Sequence, residues 1–281
     1  MGLYLAMSLT SALAFSQSSG GQLQETPGTN FTRGKVSRIH CASSGVTLRT
    51  MRLAVLSVFH GRAELSALWV EHTRALGLEV FASVTCGDTA NIAVLRDIVH
   101  VEAPNEPLGA KHNAALSLVP PDVDGVMILP SDDFVHPQYV AHVTRLLGEG
   151  ADYIYPFSCG MYEVSTGKAC ILVQPPSDGA LRFGAGRVVS RKALDSVGPL
   201  WTEARARGLD SDSHARIRAH GFRPTFVDLG ADVPCLTDVK SGTNLWPYHT
   251  WARRGRPLSA EGVLCMCSPS VHAGVMALAQ S

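Results

Sequence analysis

The chain has 281 residues, 46% of them hydrophobic and 17% charged, with 24 basic side chains balancing 24 acidic ones. That length buries a full core in one large domain or two small ones, and the balance leaves no global basic field to hold nucleic acid without sequence preference. An aromatic content of 7% and the lack of any apolar run of 18 residues exclude a disordered chain and a membrane span, and seven scattered cysteines without a C-x-x-C pair fit reduced thiols in a cytoplasmic protein.

Residues 1–50 are clustered in Ser, Thr, Gly and Gln, follow neither period, and read as an extension that is disordered or foreign to the folded unit. Their first 15 residues are apolar but lack the basic start of a secretory signal. Four basic side chains against Glu25 make the extension +3 and leave −3 for the remainder. Met51 stands directly before an apolar run, so the domain, and its native start, are expected there.

From that point strands and helices alternate. The run 53–59 predicts a buried strand, and 63–77 a helix with Leu65, Leu68, Trp69, His72 and Leu76 on one face and Gly77 as its stop. A second strand is expected at 79–85, a short third at 97–101 closing at Pro104, a helix at 109–118, an apolar fourth strand at 125–129 and a helix at 138–147 after Pro137. This order predicts an open α/β sheet, whose ligands bind at the carboxyl ends of the strands. Further on, strands at 153–156 and 169–173 read as a hairpin-like insertion, 189–197 and 209–221 as helices, and 225–229 as a strand. Beyond about Pro234 the chain reads as loop-rich. No internal repeat is visible.

The fourth strand ends in Pro130-Ser131-Asp132-Asp133. Adjacent carboxylates at a strand end repel unless a cation neutralises them, and a hard divalent ion with oxygen ligands, Mn²⁺ or Mg²⁺, does so and bridges a diphosphate. Ser131 and Asp132 capping a turn before the next helix is the other reading. In Asn105-Glu106-Pro107-Leu108-Gly109-Ala110-Lys111-His112-Asn113, a glycine-bearing turn opening a helix offers amides and the Lys111 ammonium to phosphates.

In these segments the chain resembles the nucleotide-sugar glycosyltransferases of the GT-A fold, especially the family-two-like group, which includes phage-type enzymes. The resemblance spans about 51–230. It implies a Rossmann-like open mixed sheet with flanking helices, organised as a catalytic domain at 51–235 and a loop-rich segment at 236–281 closing over the site. Serine stands at the usual first aspartate of the motif, which makes Asp133 the direct metal ligand and turns Asp132 towards the donor. His249 is a further metal ligand by the same resemblance. Ser57, His60, Arg62, Asp88, Lys111, Asn113, Gly184 and Gly186 line the donor site: Asp88 accepts from the uracil ring, or closes an ordinary Gly-Asp turn, and the glycines let the sugar approach.

Within Gly208-Leu209-Asp210-Ser211-Asp212, the resemblance makes Asp210, then Asp212, the base that deprotonates the acceptor hydroxyl in an inverting transfer; both acids also complement a helix N-terminus. Trp246 and Tyr248 stack on the acceptor, or, in the other reading, Trp246 and Trp251 pin the tail to the core. The implied donor is a nucleoside-diphosphate sugar, UDP-linked, and the acceptor a glycan or a hydroxymethylated pyrimidine in DNA, with no membrane and a cytoplasmic location that includes a host cell. The rival readings are a nucleotidyltransferase of related topology and a noncatalytic nucleotide-sugar-binding protein. No G-x-G-x-x-G follows the first strand, no G-x-S-x-G is present, and 160–169 has the wrong spacing for a P-loop.

Overall fold

The computed structural model describes residues 51–174, 183–242, 244 and 246–280. The expectations for 1–50 lie outside the described residues. Twelve strands and nine α-helices follow in chain order among these residues: β1 (Leu53–Phe59), α1 (Ala63–Ala75), β2 (Glu79–Thr85), α2 (Thr89–Val94), β3 (Val99–Ala103), α3 (Leu108–Leu116), β4 (Gly125–Ile128), β5 (Asp133–Val135), α4 (Pro137–Gly148), β6 (Tyr153–Pro156), β7 (Ser158–Glu163), β8 (Lys168–Val173), β9 (Val188–Ser190), α5 (Arg191–Val197), α6 (Leu209–Ala219), β10 (Thr225–Val227), β11 (Leu236–Lys240), α7 (Tyr248–Ala252), β12 (Arg256–Pro257), α8 (Ala260–Val263) and α9 (Pro269–Ala277). No described helix is long and apolar enough to cross a membrane.

The expected open mixed sheet is present, seven strands in the order β10-β6-β9-β4-β1-β2-β3, with β9 antiparallel to its neighbours. Its central strands are continuous apolar runs because both faces are covered. Ala54, Leu56, Val126 and Ile128 pack towards α3, α5 and α6 with Ala115, Ala193 and Ile217, while Val55 and Met127 share the opposite core with Trp69, Tyr139 and Val271. These alternate positions follow the two-residue period of a strand.

A second sheet, in the order β12-β8-β7-β11-β5, departs from the sequence reading. The strand at 153–156 is not one arm of a hairpin: it joins the large sheet, and β7 is the antiparallel partner of β8. Ser158-Cys159-Gly160-Met161 lacks a clean period, which hid β7. The expected helix at 189–197 begins as β9 and turns helical at Arg191, where the Ser190 hydroxyl caps the Ala193 amide. The segment after Pro234 is not loop-rich. It supplies β11, an interior strand between β7 and β5, and α9, which packs along the first helix of the chain. The short elements α2 and β5 were also not legible as separate elements.

β5 lies at the edge of the second sheet, and side chains of α1 close its backbone: Trp69 Nε1 donates to Asp133 O at 2.9 Å and His72 Nε2 to Val135 O at 2.8 Å. On α3, His112 stacks on Trp201 with ring centroids 4.8 Å apart and donates from Nδ1 to Leu108 O. Burial pushes its pKa down to about 4 from 6.5. The unfolded chain therefore takes up a proton that the folded chain refuses, so this contribution is present above pH 6.5 and is lost as pH falls towards 4. Urea unfolding at pH 7.5 and 4.5 is expected to show His112→Gln losing about 2–3 kcal/mol less than the parent over that interval. Equal losses would refute the assignment.

Candidate active site

Four connections meet at the carboxyl ends of β1, β2, β3 and β4. After β1, Gly61 and Arg62 both hold positive φ, 59° and 54°. That conformation is strained for arginine and persists only where neighbours enforce it. Two contacts do so: the Gly61 amide donates to Asp88 Oδ2 at 2.8 Å, and Arg62 Nη1 donates to Asp132 Oδ2 at 2.8 Å. Asp88 also caps α2, accepting from the amide and side chain of Asn91. Burial raises its pKa, but the Asn91 and Gly61 hydrogen bonds outweigh that and hold it below the usual carboxylate range. Asp88 thus closes a turn and clamps the first loop.

Lys111 is 1% exposed. Its Nζ donates to Phe59 O at 2.6 Å, Thr85 Oγ1 at 2.7 Å and Asn105 Oδ1 at 3.1 Å, which uses all three of its protons, and burial lowers its pKa to about 8. The expected phosphate cradle at the start of α3 is filled by the chain itself. The Gly109 amide donates to Arg205 O at 2.8 Å and the Ala110 amide to Glu203 O at 3.2 Å, and a Cβ on Gly109 would lie 2.2 Å from Thr202 O. Glycine is needed there for another segment of backbone, not for a ligand. Asn113 likewise bonds Trp201 O. Ser57 is buried within β1 with no partner for its hydroxyl among the described residues, and His60 is exposed with Nδ1 3.1 Å from Thr85 Oγ1.

The acidic motif divides between two environments. Asp132, in the connection after β4, accepts from Arg62 and, at 2.6 Å, from Asn244 Nδ2. Asp133 opens β5, is 4% exposed, and stands directly opposite Asp238 in the antiparallel β5–β11 register. Opposed like charges destabilise a strand pair unless neutralised. Lys240, two residues on along β11, pairs with Asp238 Oδ2. Asp133 Oδ1 and Asp238 Oδ1 are nevertheless closed to solvent and without a hydrogen-bond partner among the described residues. Burial first, then the neighbouring carboxylates, raises the pKa of Asp133; burial raises that of Asp238 against the pull of Lys240.

Two orphaned carboxylate oxygens fit a hard divalent cation, which is commonly held by one or two carboxylates and completed by water and substrate phosphates. A three-ligand cage is not formed: among the described residues no three His, Cys, Asp or Glu side chains converge on such a point. His249 is exposed on α7 and is not gathered with Asp133 into one. Asp238, Lys240 and Asn244 were missed in the sequence, since Asp238 and Lys240 interrupt the apolar character of Leu236-Thr237-Asp238-Val239-Lys240; once it is a strand, their spacing puts those two on one face.

The strand bordering β4 brings up the remaining groups. The Gly186 amide donates to Ile128 O at 2.7 Å and the Ile128 amide to Arg187 O at 2.9 Å, so the 183–187 segment runs beside the end of β4 that leads into the acidic motif. Gly184 lies against Asp210, where a Cβ would fall 1.9 Å from Oδ1. Gly186 has φ 75° and packs on Leu236 and Pro156, so its role is in packing. Asp210, in the first turn of α6, has a side chain 53% exposed. Asp212 is turned to structure: it accepts from Thr202 N at 2.7 Å and pairs with Arg205. Tyr248 is turned into the core among Met161, Cys170 and Leu172, whereas Trp246 remains 50% exposed, 6.3 Å from Trp251. Tyr248, expected at the acceptor, is instead enclosed by the core, and Trp246 faces outward.

No protein-family model matches the chain, and no curated protein matches it in sequence. Among solved structures it is similar to a mutant of Drosophila β-1,4-galactosyltransferase 7 in complex with manganese, UDP-Gal and xylobiose (14% identity, 72% of this chain and 79% of that one, TM-score 0.43). It is also similar to a 4-diphosphocytidyl-2C-methyl-D-erythritol synthase from Anaerococcus prevotii (9%, 64% and 88%, TM-score 0.42) and to Rv0371c from Mycobacterium tuberculosis (17%, 73% and 97%, TM-score 0.41). All three fall below a TM-score of 0.5.

Proposed function

We propose that the protein is a GT-A-type glycosyltransferase that moves a sugar from a nucleoside-diphosphate donor, UDP-linked, to an acceptor hydroxyl with inversion. One observation carries this reading. At the strand ends of an open sheet, a cation-flanked acidic motif adjoins, through the β4–β9 border, a half-exposed carboxylate at a helix start. The first group suits a diphosphate and the second a hydroxyl proton.

Asp133 and Asp238 would hold Mn²⁺ or Mg²⁺, which when bound supplies positive charge to the leaving diphosphate. Arg62 adds a second positive group at the same place. Asp210 accepts the proton of the acceptor hydroxyl as its oxygen bonds to the anomeric carbon, and the bond from that carbon to the diphosphate breaks with its electron pair leaving on the nucleoside diphosphate. Trp246 offers an outward aromatic face to the acceptor, a glycan or a hydroxymethylated pyrimidine in DNA.

The test is nucleoside-diphosphate release by the purified protein from UDP-, GDP- and TDP-sugars with Mn²⁺, Mg²⁺ or EDTA, with and without hydroxymethylated DNA. Metal-stimulated release from one donor class is expected. Silence with every sugar donor, or pyrophosphate release from a nucleoside triphosphate and a sugar phosphate, would overturn the reading, the latter in favour of nucleotidyl transfer.

A further inference from the structure

Arg187 shares with Lys111 near-complete burial among the charged side chains described. It is 1% exposed, yet its position immediately before β9 brings it beneath the start of α6. Nη1 donates to the Asp210 backbone O at 3.1 Å and Nη2 to Asp210 Oδ1 at 3.3 Å. One planar guanidinium therefore grips both the backbone and the side chain of a single residue. Behind it stand Tyr153 and Tyr155, whose hydroxyls lie 2.5 Å apart and 3.1 and 3.2 Å from His214 Nδ1. His214 is one helical turn beyond Asp210 on α6, so the same buried pair of phenols fixes the helix that carries the carboxylate.

The opposite side of that carboxylate is defined as closely. Gly184 touches it where a side chain would collide, at 1.9 Å from Oδ1 and 2.5 Å from Oδ2. Asp210 Oδ2 receives no hydrogen bond among the described residues, and the side chain is half exposed. A buried cation is costly unless paired, and Asp210 is the carboxylate that Arg187 contacts. Burying an arginine here is explained if its task is to aim a partner that must remain partly in solvent.

We infer that Arg187 is the positioning residue of the proposed transfer: by holding Asp210 Oδ1 and the Asp210 carbonyl it points Oδ2 at the acceptor hydroxyl. This rests on the reading of Asp210 as the base. Lysine offers a point charge on a flexible stem and lacks the rigid planar fork that holds both acceptors in one geometry. A misplacement of 1 Å in such a constellation costs on the order of 10²-fold in rate.

The experiment compares the parent, Arg187→Lys, Arg187→Gln and Asp210→Asn in nucleoside-diphosphate release from UDP-glucose and UDP-galactose with Mn²⁺, each variant first checked for native near-ultraviolet dichroism. Gly184→Ala is included because it displaces the Asp210 carboxylate while the Arg187 side chain is retained, and so still reports if the Arg187 variants do not fold. Arg187→Lys is expected to lower kcat by about tenfold and Arg187→Gln and Gly184→Ala by about 10²-fold, with donor KM within about twofold of the parent. Parent-like kcat in folded Arg187→Gln, or in Gly184→Ala, or a loss confined to KM, would overturn the inference while Asp210→Asn remained inactive. An active Asp210→Asn, or a parent that releases nothing from either donor, would instead overturn the reading on which it rests.

Discussion

Asp210→Asn is expected to lower turnover of the sugar donor by about 10²–10⁴-fold, the range in which a positioned general base contributes. The substitution keeps shape and removes the capacity to take a proton. Asp210 lies in the first turn of α6, where an acidic side chain offsets the helix dipole by about 0.3–1 kcal/mol, and it is also the carboxylate paired with the buried Arg187, so the variant loses stability as well and its turnover is compared in protein checked for native near-ultraviolet dichroism. The donor's diphosphate is assigned to a different group of residues, so its KM should change little. The decisive comparison is with Asp212→Asn. Asp212 accepts the Thr202 amide and hydroxyl and pairs with Arg205, so its loss should appear in thermal stability, with turnover far less affected. If Asp212→Asn were the inactive variant and Asp210→Asn the active one, the roles would be exchanged.

Asp133→Asn is expected to raise the stability of the metal-free protein by about 1–3 kcal/mol and to abolish stabilisation by Mn²⁺. The reason is the register. Asp133 is buried and faces Asp238 across β5–β11, and the ion pair of Lys240 is made with Asp238. An amide of the same shape removes the like-charge conflict, as replacing uncompensated buried charge commonly does. It also removes one of the two orphaned oxygens that suit the cation. Thermal melts of parent and variant with and without Mn²⁺ read both effects. The parent should rise in Tm with the ion and the variant should start higher and stay level. A variant that starts lower, or that responds to Mn²⁺ as the parent does, would dissociate Asp133 from the metal seat. Such a site would keep two acids at some cost to stability because activity needs them.

The difference between what was and was not legible follows from the range of each signal. β1 and β2 were bounded correctly at Leu53–Phe59 and Glu79–Thr85 because buried parallel strands are unbroken apolar runs, and α1 was placed by its apolar stripe and by Gly77. β11 was not, because Asp238 and Lys240 interrupt its apolar character. They become acceptable inside the molecule only as a pair, and next to a strand more than a hundred residues earlier.

The site shows the same division. The abrupt end of an apolar strand in Asp132 and Asp133 is a local feature, and it marked the carboxyl edge of the sheet as the place to look. The partner that each polar group would take is not local. The Gly109 amide and Lys111 looked ready for phosphate, but loop 202–205 and the ends of β1 and β2 reach them first; Tyr248 looked ready for an acceptor, but Cys170 and Leu172 enclose it. Sequence by itself determined the alternating α/β order, the strand faces and the acidic edge, since propensity and periodicity act over a few residues. Tertiary structure alone decided which donors and charges were already satisfied, which brought Arg187 under Asp210 and Asp238 opposite Asp133, because hydrogen bonds and ion pairs are won by whichever group the fold brings within about 3 Å.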